Sequence, residues 1–367
     1  MTENLLRLLP PIRERWRRPA TGTWAPIAVD GVGLVPENNV VAFSMKDGTT
    51  LWERALETGR ASREDNRDRY VTGGFGVGGR FVLTSAFGWD RERNTQQGRI
   101  VALSPTGERV WMHDRRSGGF ELLAAEGTRL ELASNFIPDR QRPEDEHLRV
   151  ERLIVDVTSG EVQVAPLPPS LRLTPCEGGV LFAGPRDEVY FQAYDATKAE
   201  RIVPSERTII ALHAHDDLIV RIELPERRSK THELVVWSRR AGRELWRRSD
   251  VHWNVDVGAH GILYLQHDPA GHRPVVADLR TGAQILVGDA IPGHGTGMHV
   301  RHAGDAILCM TSFLLRLLDS TTGECLQEIA APRGMGQPTI VAPGHLLLKV
   351  GAERVCYVDA RVAEDGA

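Results

Sequence analysis

Short apolar runs alternate along this chain with turns that carry glycine. The segments VVAFSMKDGTTLWERA (40–55), IVALSPTGERVWMHD (100–114), LIVDVTSGEVQVAPL (153–167), LVVWSRRAGRELWRRS (234–249), VVADLRTGAQILVGD (275–289) and LLRLLDSTTGECLQEIA (314–330) share one layout. An apolar strand comes first, then a tight turn with Gly, then a strand that often opens on Trp. Such runs predict β-strands, and the turns suit hairpins because Gly accepts the positive φ that a tight reversal demands. One supersecondary unit repeated at tens of residues predicts a solenoid or a propeller.

The turn glycines set the period. Gly242, Gly282 and Gly323 lie 40 and 41 residues apart, the length of a four-stranded propeller blade. Gly48, Gly107 and Gly160 are 59 and 53 apart, so the early units carry insertions. Two further strands precede each hairpin, which places blades at about 24–54, 70–114, 119–166, 170–203, 207–249, 252–287, 296–330 and 338–360. The last unit has only three strands. RERWRRP (13–19) resembles LWRRSD (245–250) and LWERAL (51–56), so the N-terminal segment is expected to supply the outer strand and close the ring. The expectation is an all-β, single-domain, eight-bladed β-propeller over residues 1–367; seven blades is the alternative if 170–203 is not a full unit.

The hairpins VVAFSMKDGTTLWE and IVALSPTGERVW resemble the repeat of pyrroloquinoline-quinone-type (quinoprotein alcohol dehydrogenase-like) propellers. The resemblance implies eight blades and a Trp that packs between neighbouring blades, here matched at Trp52, Trp111 and Trp246. Val162, Ala199, Ile285 and Leu326 stand near that position in the other units. The family includes quinone enzymes, outer-membrane assembly factors and kinase sensor domains, so the resemblance speaks for fold rather than activity.

With 41% hydrophobic and 26% charged residues the chain can bury a large core. No run of about 20 apolar residues is long enough to span a bilayer. The start, MTENLLRLLPPIRERWRRPATG, meets an acidic residue before any basic one and is cut by Pro10 and Pro11, so it does not read as a secretory signal. The expected location is the cytoplasm, and Arg in place of Lys suggests a GC-rich bacterial genome. A net charge of −4 gives no global attraction to nucleic acid or anionic membranes. Cys176, Cys309, Cys325 and Cys356 are far apart, without metal-site spacing, and are expected as buried, reduced thiols.

In a propeller the turns between strands one and two and between three and four emerge below, and the remaining connections above. Long insertions fall in the upper class: 57–69, 87–98, 136–149, 223–233, 266–273 and 288–297. Loops grow where binding occurs on a rigid scaffold, so the top face is the candidate surface for a protein partner. Trp89 and Arg91, with Arg93, Arg140, Arg227 and Arg228, are the candidate anchors, because Trp and Arg dominate interface hot spots. A small molecule at the channel mouth would meet Trp24, Tyr70, Trp253, His294 and His299, where inner strands begin.

Catalytic motifs are weak. His213 and His215 share a strand face near a lower turn, with Asp217 behind them, and are not placed to join His294 and His299 on one metal. Trp253, Asn254 and Asp256 are candidates for the Trp, Asn and Asp of quinone enzymes, but strand alternation sends Trp253 and Asn254 to opposite faces, no second motif accompanies them and the adjacent Cys pair of those enzymes is missing. TGGFGVGG (72–79) has phosphate-loop spacing without a following helix, which fits a crowded inner strand better. No cofactor or metal is expected. The leading reading is a non-enzymatic interaction platform; the alternatives are a quinone- or metal-dependent oxidoreductase at the channel mouth and a small-ligand or sugar-binding module.

Overall fold

The computed structural model describes residues 8–20, 25–35, 39–55, 70–90, 95–116, 119–135, 150–167, 173–183, 188–196, 198–203, 207–225, 231–258, 261–291, 298–330, 334–336, 338–359 and 361–362. It is built almost wholly of antiparallel strands. The chain divides into two compact units, one of Trp16–Leu171 and one of Thr2–Arg15 with Arg172–Ala367. The first strand, β1 (Arg13–Pro19), starts in the second unit.

The first unit holds three four-stranded sheets, each with its strands in sequence order. They are β2 (Ile27–Val29), β3 (Val32–Val35), β4 (Asn39–Ser44) and β5 (Thr50–Ala55); then β6 (Tyr70–Val77), β7 (Arg80–Asp90), β8 (Thr95–Leu103) and β9 (Arg109–Arg116); then β10 (Gly119–Glu126), β11 (Arg129–Asn135), β12 (Val150–Asp156) and β13 (Val162–Leu167). The central strands of each sheet are buried on both faces. Leu34, Val40, Phe81 and Leu83 form one cluster, and Val82, Ile100, Leu130, Leu132, Leu153 and Val155 another.

In the second unit, β14 (Leu173–Cys176), β15 (Gly179–Ala183), β16 (Val189–Ala193) and β17 (Glu200–Val203) make a sheet, so residues 170–203 do form four strands. A seven-stranded sheet follows: β18 (Ile209–His215), β19 (Leu218–Glu223), β20 (His232–Ser238), β21 (Arg243–Gly258), β22 (Gly261–Asp268), β23 (Gly271–Ala277) and β24 (Gln284–Val287). It is two four-stranded sets sharing β21. The first half of β21 pairs with β20, the second half with β22, and Val251 is paired to both His232 and Gln266. Next come β25 (His299–Ala303), β26 (Ala306–Met310), β27 (Leu314–Asp319) and β28 (Cys325–Ala330). The last sheet has the order β1-β31-β30-β29, with β29 (Thr339–Ala342), β30 (His345–Val350) and β31 (Glu353–Val358).

The chain ahead of β1 is anchored in this second unit. Leu8 and Ile12 are buried, Leu8 N–H donates to Ala303 O at 3.0 Å, and Leu9 N–H donates to Asp359 Oδ2 at 3.1 Å. Gln327 brackets Ile12: its Oε1 accepts the Ile12 N–H at 2.7 Å and its Nε2 donates to Ile12 O at 2.8 Å.

A repeated contact ties outer strands to neighbouring turns. Trp16 Nε1–H donates to Met45 O at 2.9 Å, Trp52 to Pro105 O at 2.8 Å, Trp111 to Val157 O at 2.7 Å and Trp246 to Leu279 O at 3.0 Å. Two residues on, a second side chain reaches the turn glycine: Arg54 donates to Gly107 O at 2.8 Å, His113 Nε2 lies 2.6 Å from Gly160 O, and Arg248 donates to Gly282 O at 3.1 Å. The motif is therefore Trp-x-Arg/His rather than Trp alone. Leu286, not the exposed Ile285, takes the indole's place beneath Gly323.

Two expected loops are strand instead. Residues 87–98 were expected as an insertion, yet pairing continues through Phe87↔Gln97, Trp89↔Gln96 and Asp90↔Thr95, leaving only 91–94 between strands. Residues 266–273 close a tight hairpin, His267↔His272 and Asp268↔Gly271, because Asp268 Oδ1 accepts the Ala270 N–H at 2.9 Å and fixes the turn. The glycines of 72–79 line β6 and its turn: a Cβ on Gly76 would stand 2.7 Å from Ala28 O, a close approach only glycine permits. Cys309 and Cys356 are buried, Cys176 is half-buried, and Cys325 is exposed, contrary to the expectation for it.

Candidate functional site

Antiparallel order sends the connections of each sheet alternately to its two ends. At one end, where strands one and two and strands three and four are joined, every connection spans two to six residues. At the other end lie all the longer ones: 20–26, 56–69, 136–149, 224–231, 288–298 and 331–338. Aspartates fix several turns at the short end. Asp156 Oδ1 accepts N–H groups of Thr158 and Ser159, and Asp278 and Asp319 do the same for Arg280 with Thr281 and for Thr321 with Thr322. Side-chain oxygens so engaged shape a turn and have little capacity left for a ligand.

The long-connection end of the seven-stranded sheet carries an imidazole cluster. His252 and His272 are buried with rings 5.5 Å apart and edge-on, and the exposed His267 lies 4.6 Å from His272. Trp253 stacks obliquely at 5.4 Å from His252. Burial, followed by the neighbouring His272, His267, His232 and His299, pushes the His252 pKa down to about 4. Burial also lowers His232 and His299 from their ordinary value. Among the described residues no three metal-ligating side chains converge as a metal would require.

Asn254 and Asp256 project from β21 onto β25. Asn254 Oδ1 accepts the Val300 N–H at 3.3 Å, its Nδ2 lies 3.0 Å from His299 Nδ1, and Asp256 Oδ2 accepts the His302 N–H at 2.7 Å. These side chains stand in for backbone pairing between two inner strands, which is why the chain places an Asn and an Asp two residues apart here. His213 of β18 is lowered by burial, opposed by the nearby Asp256. Asp217 is drawn away to the short end, where it accepts from Ser238 Oγ at 2.8 Å and pairs with Arg280 at 2.5 Å.

Of the expected channel-mouth residues, the structure thus brings Trp253 and His299 into one neighbourhood. Tyr70 is the first residue of β6, while Trp24 and His294 lie outside the described residues. Of the expected anchors, Trp89 sits in β7 opposite Gln96; Arg91, Arg93, Arg140, Arg227 and Arg228 lie outside the described residues. Sequence reasoning missed His232 and His252, since each stands alone in its own strand. The signal was present in VHW (251–253) facing HDPAGH (267–272) across a two-residue turn, but it requires the register to be known.

No family model matches the chain, and no curated protein matches it. Solved structures do. BamB from Moraxella catarrhalis is 12% identical with a TM-score of 0.59, covering 95% of this chain and 99% of that one. The Dos1 propeller is 9% identical with a TM-score of 0.64, covering 95% of each. A quinohemoprotein alcohol dehydrogenase from Pseudomonas putida HK5 is 12% identical with a TM-score of 0.54, covering 95% of this chain and 76% of that one. At such identities the likeness concerns fold alone, and the fold is a β-propeller. Among the described residues no helix is long and apolar enough to cross a membrane.

Proposed function

We propose that this protein is a non-enzymatic, eight-bladed β-propeller that binds a protein partner through the ends of its sheets that bear the long connections. The reading includes a ring closed by β1, a PQQ-like repeat and a cytoplasmic, bacterial setting. The observation that carries it is the asymmetry of the connections. Every connection above six residues leaves the same end of its sheet, while the opposite end is reduced to hydrogen-bonded turns. Length costs loop-closure entropy and adds nothing to the core, so its confinement to one end is what a recognition surface on a rigid scaffold requires. The count of eight is supported by reading the shared β21 as the outer strand of one set and the inner strand of the next. Closure is supported by the β1-β31-β30-β29 order and by Gln327 gripping Ile12.

Trp89, Arg91, Arg93, Arg140, Arg227 and Arg228 are the proposed anchors on that surface. With a co-purifying partner in hand, replacing Trp89 and Arg91 together by alanine is expected to weaken binding about thirtyfold, the result for an anchor pair worth about 2 kcal/mol. Unchanged affinity for this variant, and for one with Arg140, Arg227 and Arg228 replaced, would remove the face assignment.

A further inference from the structure

Asn254 makes three polar contacts whose hydrogen positions are dictated by chemistry. Val300 N–H can only donate, so the Asn254 atom facing it at 3.3 Å is the oxygen, which turns Nδ2 toward His299. An amide Nδ2 can only donate, so His299 Nδ1, 3.0 Å away, must accept with a bare lone pair. The Asn254 main-chain N–H donates at 3.2 Å to His252 Nδ1, which must be bare for the same reason. Two imidazoles on two inner strands therefore hold one asparagine through nitrogens that a proton would occupy.

We propose that His252, Asn254 and His299 form an acid-sensitive junction between β21 and β25, in which protonation of either imidazole severs its bond to Asn254 and loosens the start of β25. Burial opposes the added charge on both rings, and on His252 four neighbouring imidazoles add to that opposition. The groups that press on His252 are His232 of β20, His267 of β22, His272 of β23 and His299 of β25, all of them imidazoles. The carboxylates on neighbouring elements are engaged: Glu233 with Arg207 and Arg247, Asp268 with Arg273 at 2.7 Å, and Asp256 with the His302 N–H. His299 and Val300 are the first two residues of β25, paired His299↔Met310 and Val300↔Cys309, so the loss is transmitted to the first rungs of that sheet. The inference does not depend on a protein partner.

The test is nitrogen NMR of the histidine rings together with amide hydrogen exchange on the whole protein at pH 7.5 and pH 5.0. At pH 7.5 the ring shifts of His252 and His299 are expected to report proton-free Nδ1 atoms. After correction for intrinsic rates, protection of the Asn254 and Val300 amides is expected to fall on the order of tenfold at pH 5.0, equivalent to one unit of displaced titration. Val82, in a buried sheet of the first unit, serves as the unaffected reference. In a His252→Asn, His299→Asn variant a side-chain oxygen replaces each Nδ1 as an acceptor that does not titrate in this range, so the extra loss should vanish. A protonated Nδ1 at neutral pH, or the same pH dependence in the variant, would overturn the proposal; the ring shifts decide it in the wild type even if the variant does not fold.

Discussion

The indole of Trp52 lies flat beneath Gly107: a Cβ added there would stand 2.8 Å from Trp52 Cδ2, while Nε1–H bonds to Pro105 O at 2.8 Å. Gly107 also has φ of +86°, a conformation that L side chains rarely adopt. Two independent constraints thus act on one residue. Gly107→Ala should cost about 1–3 kcal/mol through backbone strain and displacement of the ring. Trp52→Phe keeps most of the buried surface but leaves Pro105 O without its donor, and should cost about 1–2 kcal/mol. Urea unfolding midpoints check both. Equal stability of the two variants and the wild type would deny the indole its anchoring role.

Gln327 is the second anchor. Its amide satisfies both the N–H and the C=O of Ile12, which is 2% exposed. Gln327→Ala would leave two backbone groups without these partners and should lower stability by about 1–3 kcal/mol. Removal of residues 1–12 should be worse, since it also strips Leu8 from its core. Thermal unfolding of the two variants gives the order, truncation below Gln327→Ala.

Acid should unfold the protein in two stages. The His252 pKa is lowered by burial and neighbouring imidazoles to about 4, so the unfolded chain holds this proton more tightly. Its contribution is complete above about pH 6.5 and is lost as pH falls toward 4. Asp47, Asp156, Asp278 and Asp319 are lowered mainly by Ser and Thr donors in their turns. Their contribution is present above the ordinary carboxylate value and is lost only as pH falls through the lowered ones. Melting temperatures from pH 7.5 to 2.5 should therefore show an upper limb that His252→Asn flattens and a lower limb that it leaves alone.

Limited proteolysis checks the connection asymmetry. Long charged connections are preferred cleavage sites, so first cuts should fall within 57–69 and 136–149. A first cut inside 234–249, which forms β20, its turn and the start of β21, would contradict the strand assignment.

Much of the architecture was legible because glycine turns and β-branched runs are local signals. VVADLRTGAQILV needs no distant information to be read as a hairpin. The strand at 13–19 was legible for a different reason, that RERWRRP resembles LWRRSD (245–250) and LWERAL (51–56). Residues 87–98 were misread because FGWDRERNTQQG is polar and Gly-bearing; its ladder depends on cross-strand pairing that composition does not encode. The imidazole cluster stayed hidden for the same reason. His232, His252, His272 and His299 come from four strands, and only the register places them together.

The central claim is a protein partner held by the ends with long connections. The most direct measurement isolates the tagged protein from its own host, identifies what accompanies it, and maps the hydrogen-exchange footprint of that companion. The account predicts a stoichiometric protein, a preparation free of quinone and metal, and protection confined to 56–69, 91–94, 136–149, 226–230 and 292–297. A bound quinone or metal with no protein companion, or a footprint on the Asp47, Asp156, Asp278 and Asp319 turns, would contradict it.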